Sequence, residues 1–209
     1  MTRGTARRTR RTQEERSAST RALLLDATID CLVELGYAGT TTTVIAERSG
    51  LSRGAQLHHY PTKAALVAAA VERLAGKIGY ELAAEAAHLP EGGDRVSTVV
   101  DALWARYSTP LFNAWIELST AARTDAELRT ALAPVERRLR GAIDRQARRL
   151  FGSGAGGGDE QLIAITFCIM QGMALERFLG HARPARESAM LAAWKQLVAD
   201  RLNGGRRRS

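Results

Sequence analysis

The segment from Thr40 to Lys63 constrains this chain more than any other stretch: T-T-T-T-V-I-A-E-R-S-G-L-S-R-G-A-Q-L-H-H-Y-P-T-K. Thr43 can cap a short helix over about 43–49, with Ile45 and Ala46 turned inward. Ser49-Gly50-Leu51 reads as a tight turn, since glycine tolerates the backbone angles such a turn requires. Ser52 can cap the next helix, which ends near Tyr60 because Pro61 disfavours helix at the residue before it. Helix, glycine turn, second helix is the plan of a helix-turn-helix, whose second helix lies in the DNA major groove.

The rest of the chain also reads as helices. Apolar residues recur three and four apart, and no strand alternation stands out. A first helix is predicted over about Thr20–Leu35, with Leu24, Ala27, Leu32 and Leu35 on one face, Ile29 beside it, and Gly36 as a left-handed cap. A long helix opens at Lys63 with an inward stripe of Leu66, Ala70, Leu74, Ile78 and Leu82. It ends before Pro90-Glu91-Gly92-Gly93, and roughly 25 residues span about 37 Å, enough to bridge two domains. Further helices are predicted over about Asp94–Ser108, Pro110–Arg123, a stretch capped by Thr124-Asp125-Ala126-Glu127 and ending near Phe151, Asp159–Gly180, and Pro184–Leu202. Pro134 predicts a kink or an early break in the seventh. Gly152–Gly158 reads as a mobile loop, and without a following Gly-Lys-Ser/Thr it is no phosphate cradle. Leu162, Ile165, Ile169 and Met173 share a face of the eighth helix, and Met190, Leu191, Trp194, Leu197 and Val198 mark the ninth. Gly172 suits close helix–helix approach, possible across a dimer.

At 209 residues and 45% hydrophobic, the chain can bury a sizeable core. The net charge of +8 is concentrated at the ends. Residues 1–16 carry six arginines against two glutamates, and residues 204–209 carry three arginines. Both ends lack apolar residues to bury and read as disordered basic tails, solvated or drawn to phosphate. No apolar run reaches membrane-spanning length and no apolar signal segment is present, so a cytoplasmic protein is expected. Cys31 and Cys168 read as free thiols in a reducing compartment.

These residues resemble the TetR family of bacterial repressors. In that family a helix ends in Gly, a run of Thr follows, and then come I-A-x-x-x-G-[VL]-S-x-G and x-H-[FY]-x-x-K. The matching residues are Gly36, Thr40 to Thr43, Ile45-Ala46, Gly50-Leu51-Ser52, Gly54, His59-Tyr60 and Lys63. The resemblance implies an all-α fold of about nine helices, in which three form the DNA-binding domain and the fourth links it to the rest. It also implies a homodimer held by the last two helices and a small ligand that releases DNA. The expected organisation is a basic arm over 1–16, a DNA-binding domain over 17–78 with its motif at about 42–61, a larger ligand-binding and dimerisation domain over 79–203, and a basic tail over 204–209. The chain departs from the pattern at Gln56-Leu57, where such proteins place Leu then Tyr. That Tyr commonly touches a phosphate, and Leu57 cannot donate a hydrogen bond. Gln56 could read an adenine edge if it faces the groove, or lie partly buried and bonded to backbone.

Candidate DNA contacts follow from position and chemistry. Thr43 lies at a helix N-terminus, where backbone N–H groups also attract phosphate. Arg53 occupies the first turn of the reading helix, and Gly54 and Ala55 are small enough for close approach. Gln56, His58, His59 and Tyr60 complete that helix, and Lys63 is a point charge suited to phosphate. Trp104, Tyr107, Phe112, Trp115, Phe151, Phe167, Met170 and Met173 are core residues or a ligand pocket, with Glu117 and Arg123 either orienting a polar ligand or forming exposed ion pairs. No cofactor and no metal are expected, since His58 and His59 cannot converge on one ion and no nucleophile constellation appears. The expected function is a dimeric, sequence-specific repressor released from a palindromic operator by a small-molecule effector, not an enzyme. A ligand-independent architectural DNA-binding protein is the alternative.

Overall fold

A computed structural model of the chain describes residues 12–86, 94–151 and 158–206, and among these the backbone forms nine helices and no strand. They are α1 (Gln13–Gly39), α2 (Thr42–Ser49), α3 (Arg53–His59), α4 (Lys63–Ala86), α5 (Asp94–Tyr107), α6 (Pro110–Ala121), α7 (Ala126–Phe151), α8 (Gly158–Phe178) and α9 (Pro184–Arg206). The all-α expectation is met. The turn at Pro90-Glu91-Gly92-Gly93, the loop from 152 to 157, the first eleven and last three residues, and the side chain of Phe151 lie outside the described residues.

Local chemistry explains most boundaries. Gly50 ends α2 at φ 67° and ψ 19°, and its N–H closes on the Ala46 and Glu47 carbonyls. Ser52 caps α3 by accepting from the Ala55 N–H at 3.2 Å. Thr109 caps α6 with Pro110 in its first turn. Several expected boundaries move. The first helix starts at Gln13, not Thr20, because Thr12 and Glu15 form a reciprocal capping box. Residues 13–16 of the expected basic arm are therefore helical, and α9 likewise runs to Arg206. Thr41, not Thr43, caps α2, accepting from the Val44 N–H at 3.2 Å. Asp125, not Thr124, caps α7, accepting from the Leu128 N–H at 2.9 Å. Helix α7 continues through Pro134 as one element.

Three apolar cores organise the helices. The first belongs to the helix-turn-helix: Leu24, Ala27, Cys31, Ile45 and Leu66 are buried there, with Leu51 and Tyr60 packed against them. A second joins Leu32 of α1 and Val67 of α4 to Leu118 of α6 and Leu128, Leu132 and Val135 of α7. The third gathers Val100 of α5, Met170 and Met173 of α8, and Leu191, Trp194 and Val198 of α9. The middle core is thus built from both sides of the expected boundary at residue 78. Helices α1 and α4 each serve the helix-turn-helix at one level and the larger helical body at another.

Candidate nucleic-acid interface

Within α3, Arg53, Gly54, Leu57 and His58 are exposed, Ala55 and His59 are partly covered, and Gln56 is buried. At 100° per residue the four exposed positions share one side of the helix. A β-carbon on Gly54 would meet only the Ser52 hydroxyl, at 3.9 Å, so this side admits close approach. Thr43 is exposed in the first turn of α2. His58 and His59 stand edge to face with ring centres 5.2 Å apart. Partial burial, the neighbouring His58 and the charge of Arg21 hold the His59 imidazole below its usual pKa. Burial pushes the Tyr60 hydroxyl upward, consistent with its ring packing on the helix-turn-helix core.

One expected DNA contact is corrected, and another has a partner within its own chain. Gln56 does not face outward: it is 0% exposed, and neither its Nε2 nor its Oε1 has a hydrogen-bond partner among the described residues. It occupies the inward position of α3, where packing encloses it and supplies its amide no partner. The expected backbone bond is absent as well. Lys63 is not a free point charge. Its ammonium donates to the Tyr37 carbonyl at 2.6 Å and lies 3.8 Å from the centre of the Tyr37 ring. Burial lowers its pKa, with Asp125 and Glu117 acting in the opposite direction.

Lys63 is one member of a junction that the sequence did not reveal. Gly36 interrupts α1 at φ 66°, and Tyr37 follows it. The Tyr37 N–H donates to Glu117 Oε1 of α6 at 2.6 Å, and the Tyr37 hydroxyl donates to Asp125 Oδ2 at 3.0 Å. A β-carbon on Gly36 would overlap the Glu117 carboxylate. Glycine is required here twice over, by backbone angle and by space. Burial, then the Asp125 bond, pushes the Tyr37 hydroxyl up to about 12. The Leu128 N–H, then the Tyr37 hydroxyl, holds Asp125 below its usual value. Glu117 therefore binds backbone of α1, a contact that neither expectation named. The Gly36-Tyr37 pair was the available signal, but its partner lies 80 residues away.

The residues expected to line a ligand pocket separate into two places. Trp104, Tyr107, Met170 and Met173 belong to the α5–α8–α9 core. The Tyr107 ring centre lies 4.5 Å from that of Phe112 and 6.4 Å from that of Phe167. Burial pushes the Tyr107 hydroxyl up to about 12. Arg177 sits 5.0 Å from the centre of the Trp104 ring and pairs with Glu187. Trp115, by contrast, packs against the middle core, as Tyr37 also does.

Helices α8 and α9 leave an apolar surface exposed. Ile165 and Leu175 of α8 are 47% and 42% exposed, Leu179 in the turn after α8 is 56% exposed, and Met190 and Leu197 of α9 are 40% and 60% exposed. Ile165, grouped by the sequence on one face with Leu162, Ile169 and Met173, is thus exposed, as is Leu35, grouped with the buried Leu24, Ala27 and Leu32. Their own chain covers the neighbouring face of each helix instead. Cys168, Gly172 and Met190 line one groove of about 260 Å³. A β-carbon on Gly172 would meet nothing within 4 Å. Among the described residues no helix is long and apolar enough to cross a membrane, and no cluster of His, Cys, Asp and Glu could hold a metal ion.

Comparison with known proteins places this arrangement. Residues 24–70, which contain α2 and α3, match the family model of bacterial regulatory proteins, tetR family. The chain is 33% identical over 135 residues to the HTH-type transcriptional regulator CymR of Pseudomonas putida, a match spanning 65% of this chain and 66% of that protein. It is 31% identical over 143 residues to Mb2936c of Mycobacterium bovis, an uncharacterized HTH-type transcriptional regulator, spanning 68% of this chain and 73% of the relative. A solved transcriptional regulator from Pseudomonas aeruginosa superposes with a TM-score of 0.68 at 26% identity, over 94% of this chain and 99% of that one. With the helix-turn-helix matched in sequence and the nine-helix body matched in fold, the chain belongs to the TetR family of bacterial transcriptional regulators.

Proposed function

We propose that this regulator is a homodimeric repressor that binds a palindromic operator and leaves it when a small molecule occupies the larger helical body. The carrying observation is the outward side of α3, where Arg53, Gly54, Leu57 and His58 stand exposed beside the exposed Thr43. Arg53 and His58 face base edges or adjacent phosphates, while Thr43, His59 and Tyr60 lie at the flanks. Gly54 and Ala55 allow the helix to sit deep. Two copies are needed to read a palindrome, and the uncovered apolar side of α8 and α9 is the surface a second copy would cover.

The effector site we favour surrounds Tyr107, Phe112 and Phe167, where three rings cluster next to the α5–α8–α9 core. Its signal would travel through α6. That helix begins with Phe112's turn and carries Glu117, which holds the backbone of α1 at Tyr37. A ligand that favours one position of α6 shifts the spacing of the two α3 helices only by its difference in affinity between the two states. Selection of bound sequences from random DNA tests the reading. An inverted repeat with half-sites about one helical turn or a multiple apart is expected. Uniform coating without a discrete site would instead support the ligand-independent architectural protein.

A further inference from the structure

We propose that Leu57 reads the C5-methyl group of a thymine in each half-site, making it a specificity-determining residue of α3. The assignment rests on the major-groove reading above. Successive helical residues turn by 100°, so Arg53, Leu57, Gly54 and His58 follow one another across the exposed side. Arg53 and His58 occupy the two margins. Leu57 lies between Arg53 and Gly54, near the middle, and is 46% exposed. Gly54 contributes no side chain next to it, so the leucine stands as an apolar centre with its polar neighbours displaced to the edges. The buried residue of the helix is Gln56. The polarity of these two adjacent positions is thus opposite to ordinary helix patterning: amide inside, leucine outside.

A leucine offers neither donor nor acceptor, so discrimination at its position rests on apolar contact and shape. On the major-groove edges the thymine methyl is the apolar group; the other groups there are donors and acceptors. A leucine pressed against those would desolvate them without a replacement bond, which disfavours them. Thymine opposite Leu57 covers the methyl and the side chain at once.

The test uses the full-length protein and the operator it selects from random DNA. Each thymine is replaced singly by deoxyuridine, which removes the methyl and nothing else, and affinity is read by fluorescence anisotropy. One thymine in each half-site is expected to lose about fourfold, the worth of one methyl-sized group removed from water. In Leu57→Ala that sensitivity should fall to nearly none, with the helical signal and melting temperature of the parent. In a repeated selection Leu57→Gln, which retains helix propensity, should move the preferred base from thymine to adenine. No sensitive thymine, sensitivity unchanged in Leu57→Ala, or thymine retained by Leu57→Gln would each overturn the assignment. Selection that yields no discrete sequence would overturn the major-groove reading itself, and this assignment with it.

Discussion

Leucine is exposed both on α3 and along α8 and α9, and the settings differ. On α3, Leu57 is a single apolar group between an arginine and a histidine. On α8, α9 and the turn between them, Ile165, Leu175, Leu179, Met190 and Leu197 are all exposed, and Met190 also lines a groove. An isolated apolar tip in a polar, cation-bearing setting suits a partner that is itself mostly polar, such as the edge of a base pair. A run of uncovered apolar side chains calls for cover by another protein surface, because its exposure to water is unfavourable in proportion to area. Exposure alone therefore carries little meaning; the neighbours of the exposed group define what it fits.

The sharpest way to break this contrast is to charge the second surface. Leu175→Glu combined with Leu197→Glu should yield a monomer by light scattering and lower operator affinity by about 10²-fold or more, the scale of linked binding of two half-sites. A variant that stays dimeric would place the interface elsewhere. Arg53→Ala should cost roughly 1–3 kcal/mol of operator affinity and relax base preference at one position per half-site. Even weakening across all sequences would move Arg53 from base to phosphate. The inner side of α3 gives a third test. Gln56→Leu should raise stability to denaturant by about 1–3 kcal/mol, because it removes two buried polar atoms without partners, and should leave the selected sequence unchanged. A changed sequence would bring Gln56 back to the groove.

The smallest expected effect lies at the Tyr37 junction and depends on pH. Asp125 is held below its ordinary value of 3.8 by the Leu128 N–H and the Tyr37 hydroxyl. Its carboxylate binds protons less readily folded than unfolded, so its contribution is complete above 3.8 and is lost as pH falls through the lowered value. Asp125→Asn should flatten the acid side of a melting-temperature profile between pH 7 and 3, and leave the neutral side nearly unchanged. An acid limb as steep as that of the parent would remove Asp125 from that dependence.

The family motif was legible because its parts act locally. Gly50 and Ser52 fix the turn through backbone angle and one short-range bond, and both stand where the sequence placed them. Neighbouring alternatives were harder to separate: Thr41 and Thr43 are equally able acceptors, and it is Thr41 that takes the Val44 N–H. Lys63 and Glu117 were legible as charges but not as partners of one tyrosine, since their contacts with Tyr37 span 26 and 80 residues of chain.

By itself, then, the sequence determined an all-helical chain, the position of its helix-turn-helix and most of its helix ends. Caps, glycine angles and proline restrictions operate within four residues and need no knowledge of the rest. Tertiary structure alone decided that Gln56 is enclosed, that Lys63 is tied to Tyr37, and that Ile165, Met190 and Leu197 face outward. Periodicity records that one side of a helix is apolar; which part of that side is covered depends on the helices packed against it, and those are set by contacts between residues far apart in the chain.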